Sequence, residues 1–246
     1  MDDLRALYDR DVRRQPQGGE VEVADGVIRV IAEGWRAVLW TDLDATTADA
    51  VIAREVERFA GLGHWEWKLF SYDQPPDLAD RLRAAGFVPE EEEALLVGDL
   101  EQLDLDSPVP DGVELVPVID ERGVDLLLGA HDDVWGGHEE GYRRWIVDDI
   151  AAGRTEAVVA MAGGRPICGG RIEFQAHSSF AGLFGGSTVP EWRRRGVFRA
   201  VVAYRARRAR ERGYRYLHVD ASNDSRPILE RLGFVHLATT TPFNHN

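Results

Sequence analysis

The chain has 246 residues, 44% of them hydrophobic and 29% charged, a balance that supports a sizeable buried core and excludes a disordered polypeptide. Its formal net charge of -14 weighs against duplex nucleic acid or an anionic membrane as partner, because the average surface repels both. The single cysteine, Cys168, excludes an internal disulfide and a thiolate metal cluster.

The amino terminus, MDDLRALYDRD, opens on acids where a signal peptide carries a basic region and then an apolar stretch. No run approaches the roughly 18 apolar residues of a membrane span, so the cytoplasm is the expected compartment. Three short strands are predicted at 21–23, 27–31 and 35–40, with Asp25-Gly26 and Glu33-Gly34 as hairpin turns. A helix follows at 47–60, then a strand at 64–70, a short helix at 77–85 and a strand beginning at Phe87. Between 101 and 112 the acids, Ser107, Pro108, Pro110 and Asp111-Gly112 break every periodicity and mark an exposed connector. The predicted division is a first domain at 1–100, a linker at 101–112 and a second domain at 113–246.

Beyond the linker, VELVPV at 113–118 alternates as a strand, and 124–130 and 139–151 read as helices. Strands at 156–161 and 166–175 are joined by Ala162-Gly163-Gly164-Arg165, a hairpin signal. An aromatic, Gly-containing strand at 180–189 ends at Pro190. Val201, Val202, Ala206 and Ala209 recur at helical spacing within 197–212, and Gly213 stops the run. A strand at 214–220, a short helix at 225–232 and a strand at 234–241 complete an α/β layout with a mixed sheet. The two halves close alike, with Leu82-Arg83-Ala84-Ala85-Gly86-Phe87 in one and Glu230-Arg231-Leu232-Gly233-Phe234 in the other. They read as divergent copies of one unit.

The stretch STVPEWRRRGVFRA, at 187–200, carries the chemistry. A strand ends at Pro190, a loop presents backbone amides, Gly196 permits close approach and a helix begins. The first N–H groups of a helix lack internal partners and carry partial positive charge, so a phosphate group can take the place of the missing acceptors. Arg193, Arg194, Arg195 and Arg199 add positive charge there. The arginines from Arg205 to Arg212 read instead as a solvated helix face. With one glycine the loop is neither a dinucleotide-binding fingerprint nor a P-loop.

The run from Val189 through Phe234 resembles the GNAT superfamily of N-acetyltransferases. That family's signature is an apolar strand, Pro, an Arg/Gln-x-x-Gly-x-Gly/Ala loop, a helix, a strand and a short helix ending in Gly-Phe. Here Arg193-Arg194-Arg195-Gly196-Val197-Phe198 occupies the loop and Ile228 to Phe234 the closing helix, and the element order matches from Val113 onward. The resemblance implies a mixed, largely antiparallel sheet flanked by helices, the GNAT-like acyl-CoA N-acyltransferase fold in tandem. It implies acetyl-CoA as co-substrate, with Arg193, Arg194, Arg195, Gly196, Val197, Phe198 and Arg199 around the pyrophosphate and Thr188 and Val189 along the pantetheine arm. Two positions depart from the pattern. Phe198 stands where the loop has its second small residue, and Leu229 replaces the tyrosine that many members use as general acid. The first half lacks the loop: a shift of 150 residues sets Leu43 opposite Arg193 and Thr46 opposite Gly196, within the acidic TDLDATTAD. It reads as a degenerate copy that has lost its cofactor.

The expected reaction moves an acetyl group directly to a primary amine of a small molecule or peptide. Glu173, projecting opposite its apolar neighbours on a strand, is the candidate base, or else a surface carboxylate beside Arg171. Ser225 is the candidate proton donor or water-holder, or else a helix cap. His131-Asp132-Asp133 and His138-Glu139 lie where this fold shapes the acceptor site, with no zinc spacing, and no metal is expected. Trp135, Tyr142 and Trp145 line an acceptor pocket or pack in the core, and Cys168 reads as buried. The composition leaves room for a homodimer, with no nucleic acid or membrane partner. Two other classes stay open, a non-catalytic acyl-CoA sensor and an adaptor using the arginine-rich helix.

Overall fold

Alternation and turn chemistry act first at the hairpins. In the computed structural model, which describes residues 2–32, 35–138 and 140–246, Asp25 and Gly26 take φ of 53° and 81°. Gly163 and Gly164 take 56° and 80°. Both pairs form the two-residue turn whose twist suits antiparallel strands. The Glu33-Gly34 turn lies outside the described residues.

Two compact units result, one of Met1–Leu96, Asp220–Arg226 and His236–Asn246, the other of Val97–Val219 and Pro227–Val235. The first begins with a helix, α1 (Asp2–Tyr8), continuing into a π-helical turn, Asp9–Arg13. Strands β1 (Glu20–Ala24), β2 (Val27–Ala32) and β3 (Trp35–Thr41) form an antiparallel meander. Helix α2 (Ala48–Phe59) then returns the chain to β4 (Trp65–Phe70), which runs parallel to β3. Helix α3 (Leu78–Ala84) and the two-residue β5 (Val88–Pro89) follow. The last strand of the chain, β12 (Val235–His245), pairs antiparallel with β4 from Thr240 opposite Phe70 to His245 opposite Trp65. Alternation on β4 points Trp65 and Trp67 into a core with Phe59, Leu78, Leu82, Phe87 and Phe243. Each such buried side chain contributes about 1.5–3 kcal/mol. On α2 the fully buried Glu55 meets the Arg29 guanidinium, which also donates to Glu22 at 2.7 Å.

Strand β6 (Glu93–Asp99) carries the chain onward. The second unit holds β7 (Val113–Val118), α4 (Glu121–Trp135), α5 (Glu140–Ala151), β8 (Thr155–Ala162), β9 (Arg165–Phe174), β10 (Phe180–Thr188) and α6 (Val197–Glu211). It also takes most of β11 (Tyr216–Ala221) and α7 (Arg226–Arg231). Strand order is β11-β10-β9-β8-β7, antiparallel except for the parallel β10–β11 pair. Asp120 caps α4 by accepting the Gly123 N–H at 2.8 Å. Gly213, at φ 83°, ends α6, with the Tyr214 N–H reaching back to the Ala209 carbonyl at 3.1 Å. The sheet is covered on both faces. A Cβ on Gly169 would meet Leu127 of α4, and one on Gly170 would meet Arg205 of α6.

The repeat read from the two Gly-Phe endings extends to topology. In each unit a meander is followed by a helix and then by a strand parallel to the meander's last strand. Among the described residues no helix is long and apolar enough to cross a membrane.

Candidate functional site

Strand β10 is built to come apart from its neighbour. It pairs with β11 only from Phe180 to Gly182, while on the β9 side pairing continues to Thr188. Between Phe184 and Ser187 the register gains one residue, a bulge at Gly185 and Gly186, with Gly185 at φ 59°. Past the bulge Val189 is 1% exposed and gives its N–H to the Ile167 carbonyl at 2.9 Å. Alternation therefore turns the N–H and C=O of Thr188 to the opposite, open edge. The Thr188 carbonyl accepts Arg193 Nε there at 3.1 Å.

The chain next makes a 3-10 turn, Pro190–Trp192, passes Arg194 at φ 60° and reaches Gly196 at φ 84°, ψ -6°, directly before α6. Ala200 makes the first helical bond, to the Gly196 carbonyl at 3.0 Å. The N–H groups from Arg194 to Arg199 find no backbone acceptor among the described residues. Arg193, Arg194, Arg195 and Arg199 are exposed around them, and none forms an ion pair among the described residues. A row of free amides at a helix start inside a cluster of unpaired guanidiniums fits a diphosphate. Phe198 does not obstruct it, because its ring packs 2.9 Å from where a Cβ on Gly186 would sit. The glycine at the bulge makes room for the large residue in the loop.

Glu173 lies on β9, opposite Gly182 of β10, and accepts Arg171 Nε at 2.8 Å. Arg171 in turn donates to the Tyr142 hydroxyl at 2.7 Å and lies near the Tyr142, Trp145 and Phe184 rings. Tyr142 and Trp145 stack at 5.9 Å and border the core, whereas Trp135 is 59% exposed. His131, on the same face, lies against Gly185, and its Nε2 has no hydrogen-bond partner. Burial and the Arg171 charge hold its pKa down at about 4, so the imidazole is neutral at pH 7. His138 Nδ1 meets Asp132 at 2.9 Å, and Glu139 lies outside the described residues. Cys168 is fully buried, and desolvation pushes its thiol up to about 11.

One sequence expectation needs correction. Arg205 does not belong to the solvated face of α6: it is 2% exposed, with Nη1 donating to the carbonyls of Arg171 at 3.0 Å and Phe184 at 3.3 Å. Gly170 leaves the space for its guanidinium, since a Cβ there would come within 2.7 Å. The signal was long-range, a glycine on β9. Arg205 ties β9 to β10 at the bulge without a carboxylate partner among the described residues, and burial lowers its pKa to about 10.

Ser225 belongs to the first unit, where its hydroxyl donates to the Ser222 carbonyl at 3.3 Å. Leu229 is 1% exposed and fills the second unit's core. In the first unit the position matching the arginine loop is occupied differently. Asp44 Oδ1 accepts the N–H groups of Thr46 at 2.8 Å and Thr47 at 2.9 Å, and the Thr46 hydroxyl at 2.7 Å. These bonds hold the Asp44 carboxyl at about 2. The protein's own anion takes the amides before α2. Among the described residues no three His, Cys, Asp or Glu side chains gather as a metal site.

Residues 139–246 match the family model described as an acetyltransferase (GNAT) domain. No curated protein matches the sequence. Among solved structures, a GCN5-related N-acetyltransferase from Kribbella flavida is similar at 16% identity, covering 98% of this chain and 94% of its own, with a TM-score of 0.73. A protein of unknown function from Staphylococcus epidermidis, 13% identical, covers 96% of each chain with a TM-score of 0.70. A tandem GNAT protein from the clavulanic acid biosynthesis pathway, 14% identical, covers 89% of this chain and 78% of its own at 0.61. The chain has the GNAT fold, its residues 139–246 match the GNAT domain model, and the likeness in fold extends over the first half, in keeping with a degenerate copy there.

Proposed function

We propose that the protein transfers an acetyl group from acetyl-CoA to a primary amine of a small molecule or peptide by direct attack. The observation that carries this reading is the junction of the open β10 edge with a loop of free amides and unpaired arginines at the start of α6. Acetyl-CoA supplies an activated thioester when bound. The amides of Arg194 to Arg199 and the surrounding guanidiniums take up the diphosphate charge. The Thr188 N–H, turned to the open edge, aligns the pantetheine arm, with Val189 anchoring the strand behind it. Positioning and fixed backbone dipoles supply most of the rate. Glu173, oriented by Arg171, accepts the proton of the attacking amine. Leu229 stands where many family members have a tyrosine, and the departing thiolate takes its proton from solvent. The net charge of -14 favours a cationic acceptor.

The buried Leu229 favours a second reading, a non-catalytic acyl-CoA sensor. Thiol release from acetyl-CoA, measured over a panel of polyamines, amino sugars, amino acids and peptides, separates the two. Turnover with any amine supports the transferase. Tight CoA binding with no transfer to any of them supports the sensor, and absence of CoA binding removes both.

A further inference from the structure

The linker side of the arginine loop deepens the transferase reading, on which its own role depends. Residues 101–112 do not swing free of the second unit. Arg207 of α6 donates to the Leu105 carbonyl at 3.3 Å, and Pro110 Cγ lies 3.8 Å from where a Cβ on Gly196 would sit. Between this segment and the start of α6 lies a cavity of about 240 Å³ lined by Ser107, Pro108, Pro110, Arg195, Gly196 and Arg199.

Its polar lining lacks a protein partner. Arg195 and Arg199 are exposed and outside every ion pair among the described residues, in a chain with 43 acids against 29 basic residues. The Arg195 guanidinium is held over the Trp192 ring at 4.9 Å instead of reaching a carboxylate. Ser107 is 8% exposed, and its Oγ has no hydrogen-bond partner. A buried hydroxyl left so is unfavourable until an acceptor arrives. At about 30 Å³ of liquid volume per water, the cavity admits a phosphoryl group with part of a sugar.

We propose that this cavity seats the 3′-phosphate of coenzyme A. The phosphomonoester carries nearly two negative charges at neutral pH and matches the guanidinium forks of Arg195 and Arg199, while Ser107 Oγ donates the third contact. Pro108 and Pro110 wall the ribose. Gly196 borders both this cavity and the amide row, so the two phosphate sites are contiguous and separable. The segment joining the two halves is thereby part of the nucleotide site.

Calorimetry on the full chain with CoA and with 3′-dephospho-CoA tests this without relying on turnover. The wild type is expected to bind CoA about tenfold tighter than 3′-dephospho-CoA. Arg199→Gln should bring the ratio to within about threefold, whatever it also costs 3′-dephospho-CoA through the shared diphosphate. Ser107→Ala should weaken CoA alone, by about two- to fivefold. Equal binding of both nucleotides by the wild type overturns the proposal and leaves the transferase reading standing. So does an Arg199→Gln variant that weakens both by the same factor. Binding of neither overturns the transferase reading along with it.

Discussion

Gly196→Ala tests the loop through its backbone alone. Gly196 sits at φ 84°, ψ -6°, and an added Cβ would meet only Pro110 Cγ, at 3.8 Å. The perturbation is therefore conformational, and an L-residue in the left-handed region costs roughly 1–2 kcal/mol. That energy has two destinations. A loop that keeps its geometry carries the strain in the folded state, and stability falls by the whole amount. A loop that relaxes to negative φ keeps its stability, but the ligand must then restore the amide row, which weakens CoA by about five- to thirtyfold. The losses of stability and of binding free energy should together come to roughly 1–2 kcal/mol. Gly213→Ala is the control. Gly213 has φ 83°, open space around it and a place at the other end of α6, so it should lose the same stability and no CoA affinity. Denaturant unfolding of the ligand-free protein and calorimetry with CoA read both quantities. A Gly196→Ala protein equal to wild type in both would refute the reasoning, as would a Gly213→Ala protein weakened equally for CoA.

Two buried groups give further outcomes. The His131 imidazole titrates at about 4 in the fold against 6.5 unfolded, so the unfolded chain binds the proton first as pH falls. Stability should be insensitive to this group above pH 6.5 and decline between there and pH 4, by on the order of 3 kcal/mol. Unfolding at pH 7 and pH 4.5 should show a shallower decline in His131→Gln; identical declines would sink the assignment. Arg205→Met strands the carbonyls of Arg171 and Phe184, at about 1–3 kcal/mol for each buried acceptor. It should speed amide exchange in residues 183–188, with Arg205→Lys in between. A change under about 0.5 kcal/mol would show that Arg205 behaves as a surface residue.

Local chemistry controls what was legible in the sequence. Paired turn residues marked the hairpins, four small apolar residues marked the buried face of α6, and Gly196 marked the helix start. The misses involve partners distant along the chain. The amino-terminal helix is rich in charge, and only contacts such as Arg13 with Asp73, at 3.0 Å, hold it against the first unit. Strand β6 is a short run buried on both faces, Ala94 to Val97, without the alternation that identifies a strand. Strand β12 runs on to His245 because β4 is there to pair with it. The burial of Arg205 needed a gap at Gly170 on another strand, which no window along α6 contains.

The two helix starts answer one electrostatic need in opposite ways. Before α2 the anion is Asp44, covalently attached and ionised down to about pH 2, so that end is complete at any ligand concentration. Under the proposed function the anion before α6 arrives from solution, and its binding free energy adds to the stability of the state that binds it, about 2.7 kcal/mol at a hundredfold excess over Kd. On that reading duplication has left one copy whose firmness is set by its own covalent structure and another whose firmness rises and falls with the supply of its nucleotide. Half-life, proteolysis and melting of the second unit should all track that supply, while the first keeps time by itself.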